Sequence, residues 1–209
     1  MIKNLLFDWS GTLVDDLPPT LHATNVVLQQ HGAAAMDREE FRRRFRLPYP
    51  EFYDEVLPGV PVASLEDLFR DSFRRSPVPV TPLPGAMETL AWCQEAGLRC
   101  FVLSSMDPGL LARQAESFEL APFFEEVYSG IIDKRDEIGR ILERHELAPT
   151  ETAFVGDMLH DIATARAGNV ASYMMETGYD PPERLREAEP DAMFANLDAL
   201  VAYLKEVTA

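Results

Sequence analysis

Five short apolar runs, most of them followed by a stretch of helical periodicity, constrain what this chain can fold into more than any other feature. The runs are residues 2–7, 99–103, 127–132, 152–155 and 170–175. Each is too short for a helix, is dominated by apolar residues, and ends in polar or glycine-containing sequence, which is the pattern of a strand buried on both faces. The stretches 85–95, 108–118, 136–145 and 162–167, and the terminal 197–207, place apolar residues three and four apart and read as helices. Strand and helix in alternation predict an α/β fold: a Rossmann-like parallel sheet with helices on both faces. The interval after the first run breaks the alternation. Residues 20–30, 38–45, 51–57 and 65–73 are helical candidates separated by proline-rich joints. The expected organisation is therefore a core of residues 1–14 and 83–209 and a small inserted α-helical cap domain of residues 15–82.

Charge narrows the partners. A formal net charge of −16 over 209 residues lacks the basic footprint that binding to nucleic acid or to an anionic membrane needs. The apolar run at residues 2–7 is too short for a secretion signal or a membrane span. Two cysteines, Cys93 and Cys100, on neighbouring elements are read as reduced thiols, and a cytoplasmic location is expected.

In an open parallel sheet, ligands bind beyond the carboxyl ends of the strands. Asp8, Ser104 and Asp157 stand directly after three of the predicted strands, and Lys134 follows a fourth. Polar residues at strand ends are individually weak signals, because loops need them anyway. Four at one sheet edge form a set that could bind an anion through a metal and a cation.

The residues around these positions carry a resemblance. Asp8-Trp9-Ser10-Gly11-Thr12-Leu13-Val14-Asp15 resembles the first motif of the haloacid dehalogenase superfamily, in which an acidic Asp-x-Asp-Gly-Thr follows a strand. Val155-Gly156-Asp157-Met158-Leu159-His160-Asp161 is similar to its acidic last motif, and Ile132-Asp133-Lys134-Arg135-Asp136 to its third. The resemblance spans essentially the whole chain and is of the phosphoglycolate phosphatase type with a helical cap. It implies a hydrolase that transfers a phosphoryl group from a small phosphorylated metabolite to Asp8 and then to water. It further implies Mg²⁺ held by Asp8, the backbone carbonyl of Ser10 and Asp157, with Asp161 acting through water or in support. Lys134 would neutralise phosphate and nucleophile, with Arg135 as its rival. Thr12 and Ser104 would contact the phosphoryl group, and Ser105 would exchange with Ser104 if the register slips by one.

One position departs from the pattern. Phosphatases of this superfamily mostly carry a second Asp two residues after the nucleophile, as general acid and then base; this chain has Ser10. A hydroxyl is a poor proton donor at neutral pH, and general acid–base assistance is typically worth ~10²–10⁴-fold. Three readings follow. The first is a phosphatase favouring good leaving groups or drawing its acid from elsewhere; the cap histidines His22 and His31 are the obvious but unconvincing donors. The second rests on the similarity of the first motif to phosphonoacetaldehyde hydrolases. These need a cap lysine, and residues 15–82 contain none. The third is a catalytically degenerate phosphate- or partner-binding member of the fold.

Overall fold

The computed structural model describes residues 1–207. Six parallel strands form one sheet in the order β5-β4-β1-β6-β7-β8. They are β1 (Asn4–Phe7), β4 (Arg99–Leu103), β5 (Glu126–Tyr128), β6 (Thr152–Gly156), β7 (Ala171–Met175) and β8 (Ala192–Phe194). Helices α5 (Ala86–Glu95), α6 (Pro108–Ser117), α7 (Ile138–Arg144), α8 (Leu159–Gly168), α9 (Pro182–Glu187) and α10 (Leu197–Val207) connect and cover them. No helix among the described residues is long and apolar enough to cross a membrane.

The period-two geometry of the strands explains the two cores. In β1 the side chains of Leu5 and Phe7 enter one apolar cluster together with Ala153 and Val155 of β6. Leu6 points the other way and packs with Phe101, Leu103 and Phe154. All four residues of β1 are buried, as a central parallel strand requires. Each large side chain so buried contributes about 1.5–3 kcal/mol. Register then fixes the functional edge. Phe7 pairs with Val102 on one side and Val155 on the other, so Asp8, Ser104 and Asp157 leave the sheet side by side.

The chain leaves the sheet after β1 through a tight loop in which Trp9 O accepts from both Leu13 N and Val14 N. It then enters a two-stranded ribbon of β2 (Val14–Asp15) paired antiparallel with β3 (Thr81–Pro82). Between these strands lie α1 (Leu17–Gln30), α2 (Arg38–Arg44), α3 (Tyr49–Val56) and α4 (Glu66–Arg74), close to the four helices expected. Asp37 caps α2 by accepting from Glu40 N at 2.7 Å. These helices share an apolar cluster that includes Phe41, Phe52 and Leu65 but also Met158 and Tyr179 from the sheet side. Arg42 on α2 fastens the same junction by donating to the carbonyls of Tyr179 and Asp180.

Three features depart from the sequence reading. The strand expected at 127–132 ends at Tyr128, because Gly130 turns the backbone at a φ of 73° and Ile131 N returns to Ser104 O. The ribbon has only two residues per strand, too few for any periodicity. Strand β8 and helix α9 are three and six residues long, below the length at which a pattern repeats.

Candidate active site

Asp8 sits at the end of β1 and is buried. Its Oδ1 accepts from Trp9 N at 2.7 Å, and its Oδ2 is 2.8 Å from Lys134 Nζ. Lys134 is itself fully buried and also reaches Asp161 Oδ1 at 2.8 Å. Burial alone would lower the lysine pKa, but Asp161 and Asp8 outweigh it and hold the ammonium charged. The backbone N–H of Lys134 donates to His160 Nε2 at 3.3 Å. Burial pushes His160 down to about 4, so its ring is neutral and able to accept. Arg135 turns outward onto Asp133. Of the two rivals, Lys134 is the one beside Asp8.

The last motif follows the same logic. Asp161, in the first turn of α8, accepts on Oδ2 from the N–H groups of Asp157 and Met158 at 3.0 and 2.9 Å, serving the helix N-terminus. Asp157 accepts from Thr12 Oγ1 at 2.9 Å and from Tyr179 N at 2.7 Å. Thr12, expected to contact phosphate, therefore spends its hydroxyl on Asp157. Two glycines permit this packing. A Cβ on Gly178 would lie 1.9 Å from Asp157 Oδ2, and one on Gly11, at a φ of 73°, would lie 2.4 Å from the same oxygen.

Asp8, Asp157 and Asp161 each offer an oxygen within 4.8 Å of the others, and all three are buried. Burial first, then the neighbouring carboxylates, push Asp157 well up; burial raises Asp8 to about 6 although Lys134 opposes it. Three carboxylates facing one ammonium carry a formal charge of −2. A hard divalent cation with oxygen ligands fits that donor set and its charge.

Above Asp8 opens a cavity of about 360 Å³ between the sheet edge and helices α1, α3 and α4. Asp8, Ser10 and Ser105 line it, whereas Ser104, buried, accepts from Met106 N at 3.3 Å and stands behind. Neither His22 nor His31 is part of the lining. Sequence reasoning missed Asp16. This buried carboxyl lines the cavity, accepts from Ser10 Oγ at 2.7 Å and from the Tyr179 hydroxyl at 2.8 Å. Burial pushes it up to about 7. The Tyr179 hydroxyl is also 2.9 Å from Thr20 Oγ1. The doublet Asp15-Asp16 was the available signal, but it reads equally well as an exposed turn.

The family model described as haloacid dehalogenase-like hydrolase matches residues 5–175. The phosphoglycolate phosphatase of Vibrio vulnificus strain YJ016 is 24% identical, over 96% of this chain and 95% of its own. That of Pseudomonas syringae pv. tomato is also 24% identical, over 95% of this chain and 78% of its own. Among solved structures, a predicted phosphatase from Clostridium acetobutylicum superposes with a TM-score of 0.87 at 19% identity, over 99% of both chains. A haloacid dehalogenase-like hydrolase from Streptococcus pneumoniae gives 0.86 at 20% identity, covering 97% of this chain and 98% of its own.

Proposed function

This chain belongs to the haloacid dehalogenase-like hydrolase family, and we propose that it is a Mg²⁺-dependent phosphatase acting on a small phosphorylated metabolite through an aspartyl-phosphate on Asp8. The observation that carries the proposal is the Asp8 carboxylate on the floor of the cavity, backed by buried Lys134 and two further buried carboxylates.

Asp8, Asp157 and the Ser10 carbonyl, with Asp161 behind them, would hold Mg²⁺, which when bound would offset the negative charge of the phosphoryl group and the carboxylates. Asp8 attacks phosphorus; the bond from phosphorus to the departing oxygen breaks, and that oxygen takes up a proton. Water then attacks the same phosphorus and releases the Asp8 carboxylate. Lys134 holds Asp8 in place and balances its charge. Thr12 acts by fixing Asp157, and Ser105, which lines the cavity, offers its hydroxyl at the phosphoryl end with buried Ser104 behind it. Ser10 and Asp16, which line the cavity beside Asp8, exchange the proton with the departing oxygen and the water. Residues 15–82 act as a cap on the core of 1–14 and 83–209. The paired crossing at β2–β3 supports that division, as does a cavity walled from both sides.

The test is a panel of phosphate monoesters assayed with Mg²⁺ and with EDTA, alongside mass measurement of acid-quenched protein. Turnover abolished by EDTA and restored by Mg²⁺ is expected. So is a phosphoryl mass increment on wild type that Asp8→Asn lacks. Phosphate binding without turnover of any ester would replace the proposal with the reading of a degenerate, binding-only member.

A further inference from the structure

We propose that the cavity selects phosphate monoesters whose leaving group is apolar and carries no negative charge, and that it discriminates against phosphorylated hydroxy acids. The inference rests on the phosphatase reading and names the substrate class of the same site.

Two observations carry it. The first is charge. The lining contains the carboxyls of Asp8, Asp16, Glu66 and Asp107 and a single cationic side chain, Arg70. That guanidinium is already engaged, at 3.0 Å from Asp67 Oδ1 and 3.3 Å from Asp107 Oδ2. A second anionic group on the substrate, such as the carboxylate of 2-phosphoglycolate, would enter a wall of acids with its only cation neutralised. Desolvating a charge without a partner is among the more costly events in a binding site.

The second observation is the wall itself. Phe45, Tyr53, Leu65, Phe69 and Met106 present apolar surface to the space above Asp8, and Ile132 joins them while 46% exposed. At about 360 Å³ the cavity falls at the lower end of the range that receives a small-molecule ligand. An aliphatic or aromatic leaving group would cover this surface, whereas a two-carbon acid would leave most of it wet. Relatives named phosphoglycolate phosphatase, at 24% identity, do not dictate what occupies the far end of this cavity.

The experiment compares kcat/KM with Mg²⁺ for ethyl, butyl, hexyl and 2-phenylethyl phosphate and for 2-phosphoglycolate. The unsubstituted alkyl series keeps leaving-group pKa nearly constant. Expected is a rise of about three- to fourfold per methylene over the first carbons, the value of one buried CH₂ group, with 2-phosphoglycolate below butyl phosphate. Ile132→Ala should lower the hexyl-to-ethyl ratio at least about threefold. A flat chain-length series, an unchanged ratio in that variant, or a preference for 2-phosphoglycolate would overturn the inference while leaving the phosphatase standing. Calorimetric binding of methyl-, butyl- and hexylphosphonate to the Mg²⁺-loaded protein decides the same question if no ester turns over. Affinity rising with chain length supports the inference, and equal affinities overturn it.

Discussion

Asp16→Asn exchanges one oxygen of a buried carboxyl for an amide nitrogen, and its consequence for stability can be worked out in advance. Asp16 is 1% exposed. Burial is the largest cause of its shift from 3.8 to about 7; hydrogen bonds from Ser10 and Tyr179 oppose it, and Asp8 and Asp15 add to it. In the unfolded chain an aspartate ionises near pH 4. Between that value and about 7 the unfolded state has released the proton while the folded state keeps it. The protonated carboxyl's stabilisation is therefore fully present below about pH 4 and is lost as pH rises through 7, with a limiting slope of about 1.4 kcal/mol per pH unit. From pH 5 to pH 8 the loss comes to about 3 kcal/mol. Asparagine does not titrate, and it preserves the network: its carbonyl can accept from Ser10 while its amide donates to the Tyr179 oxygen. Urea denaturation of both proteins in EDTA, at pH 5, 6, 7 and 8, checks this. Asp157 titrates in both proteins and drops out of the difference, whereas Asp8, which faces Asp16, contributes through its coupling to it. The variant should gain about 3 kcal/mol on wild type across the range. A difference that stays constant with pH would mean that Asp16 is ionised throughout, and the reasoning from burial would be wrong.

Three further substitutions probe the surroundings of Asp8. Lys134→Ala leaves three buried carboxylates facing one another and should cost about 3–5 kcal/mol of stability together with most of the activity. Arg135→Ala removes only an exposed ion pair and should change stability by at most about 1 kcal/mol; denaturation and turnover measured side by side decide whether the two rank that way. Ser10→Asp, made in an Asp16→Asn background so that two carboxyls do not share one site, should restore an acid at the departing oxygen. Rates on alkyl phosphates are expected to rise by up to ~10²–10⁴-fold, and a rate no higher than that of Asp16→Asn alone would place the proton donor elsewhere.

The alternation of buried strand and helix, and the four helices between β2 and β3, are legible in the chain because they rest on local periodicity and on glycine and proline punctuation. The same register places Asp8, Ser104 and Asp157 at one edge, and Asp161 follows from its place in the first turn of α8. Choosing between neighbours was another matter. Lys134 and Arg135 are adjacent cations, and only the packing of the segment against α8 buries the first between Asp8 and Asp161 while leaving the second on Asp133. The Ser10–Asp16–Tyr179 network includes a bond between residues 163 positions apart, and the breakers at its two ends, Pro18 and Pro19 on one side and Gly178 and Pro181 on the other, mark turns without announcing that meeting. Gly178 is one more loop glycine until Asp157 is packed against its backbone. Sequence determined the elements and the strand ends, since those follow from the conformational preferences of a few consecutive residues. Tertiary structure alone decided which carboxyl is buried, which cation is paired and what surface surrounds the nucleophile, because burial and long-range contact exist only once the layers have packed.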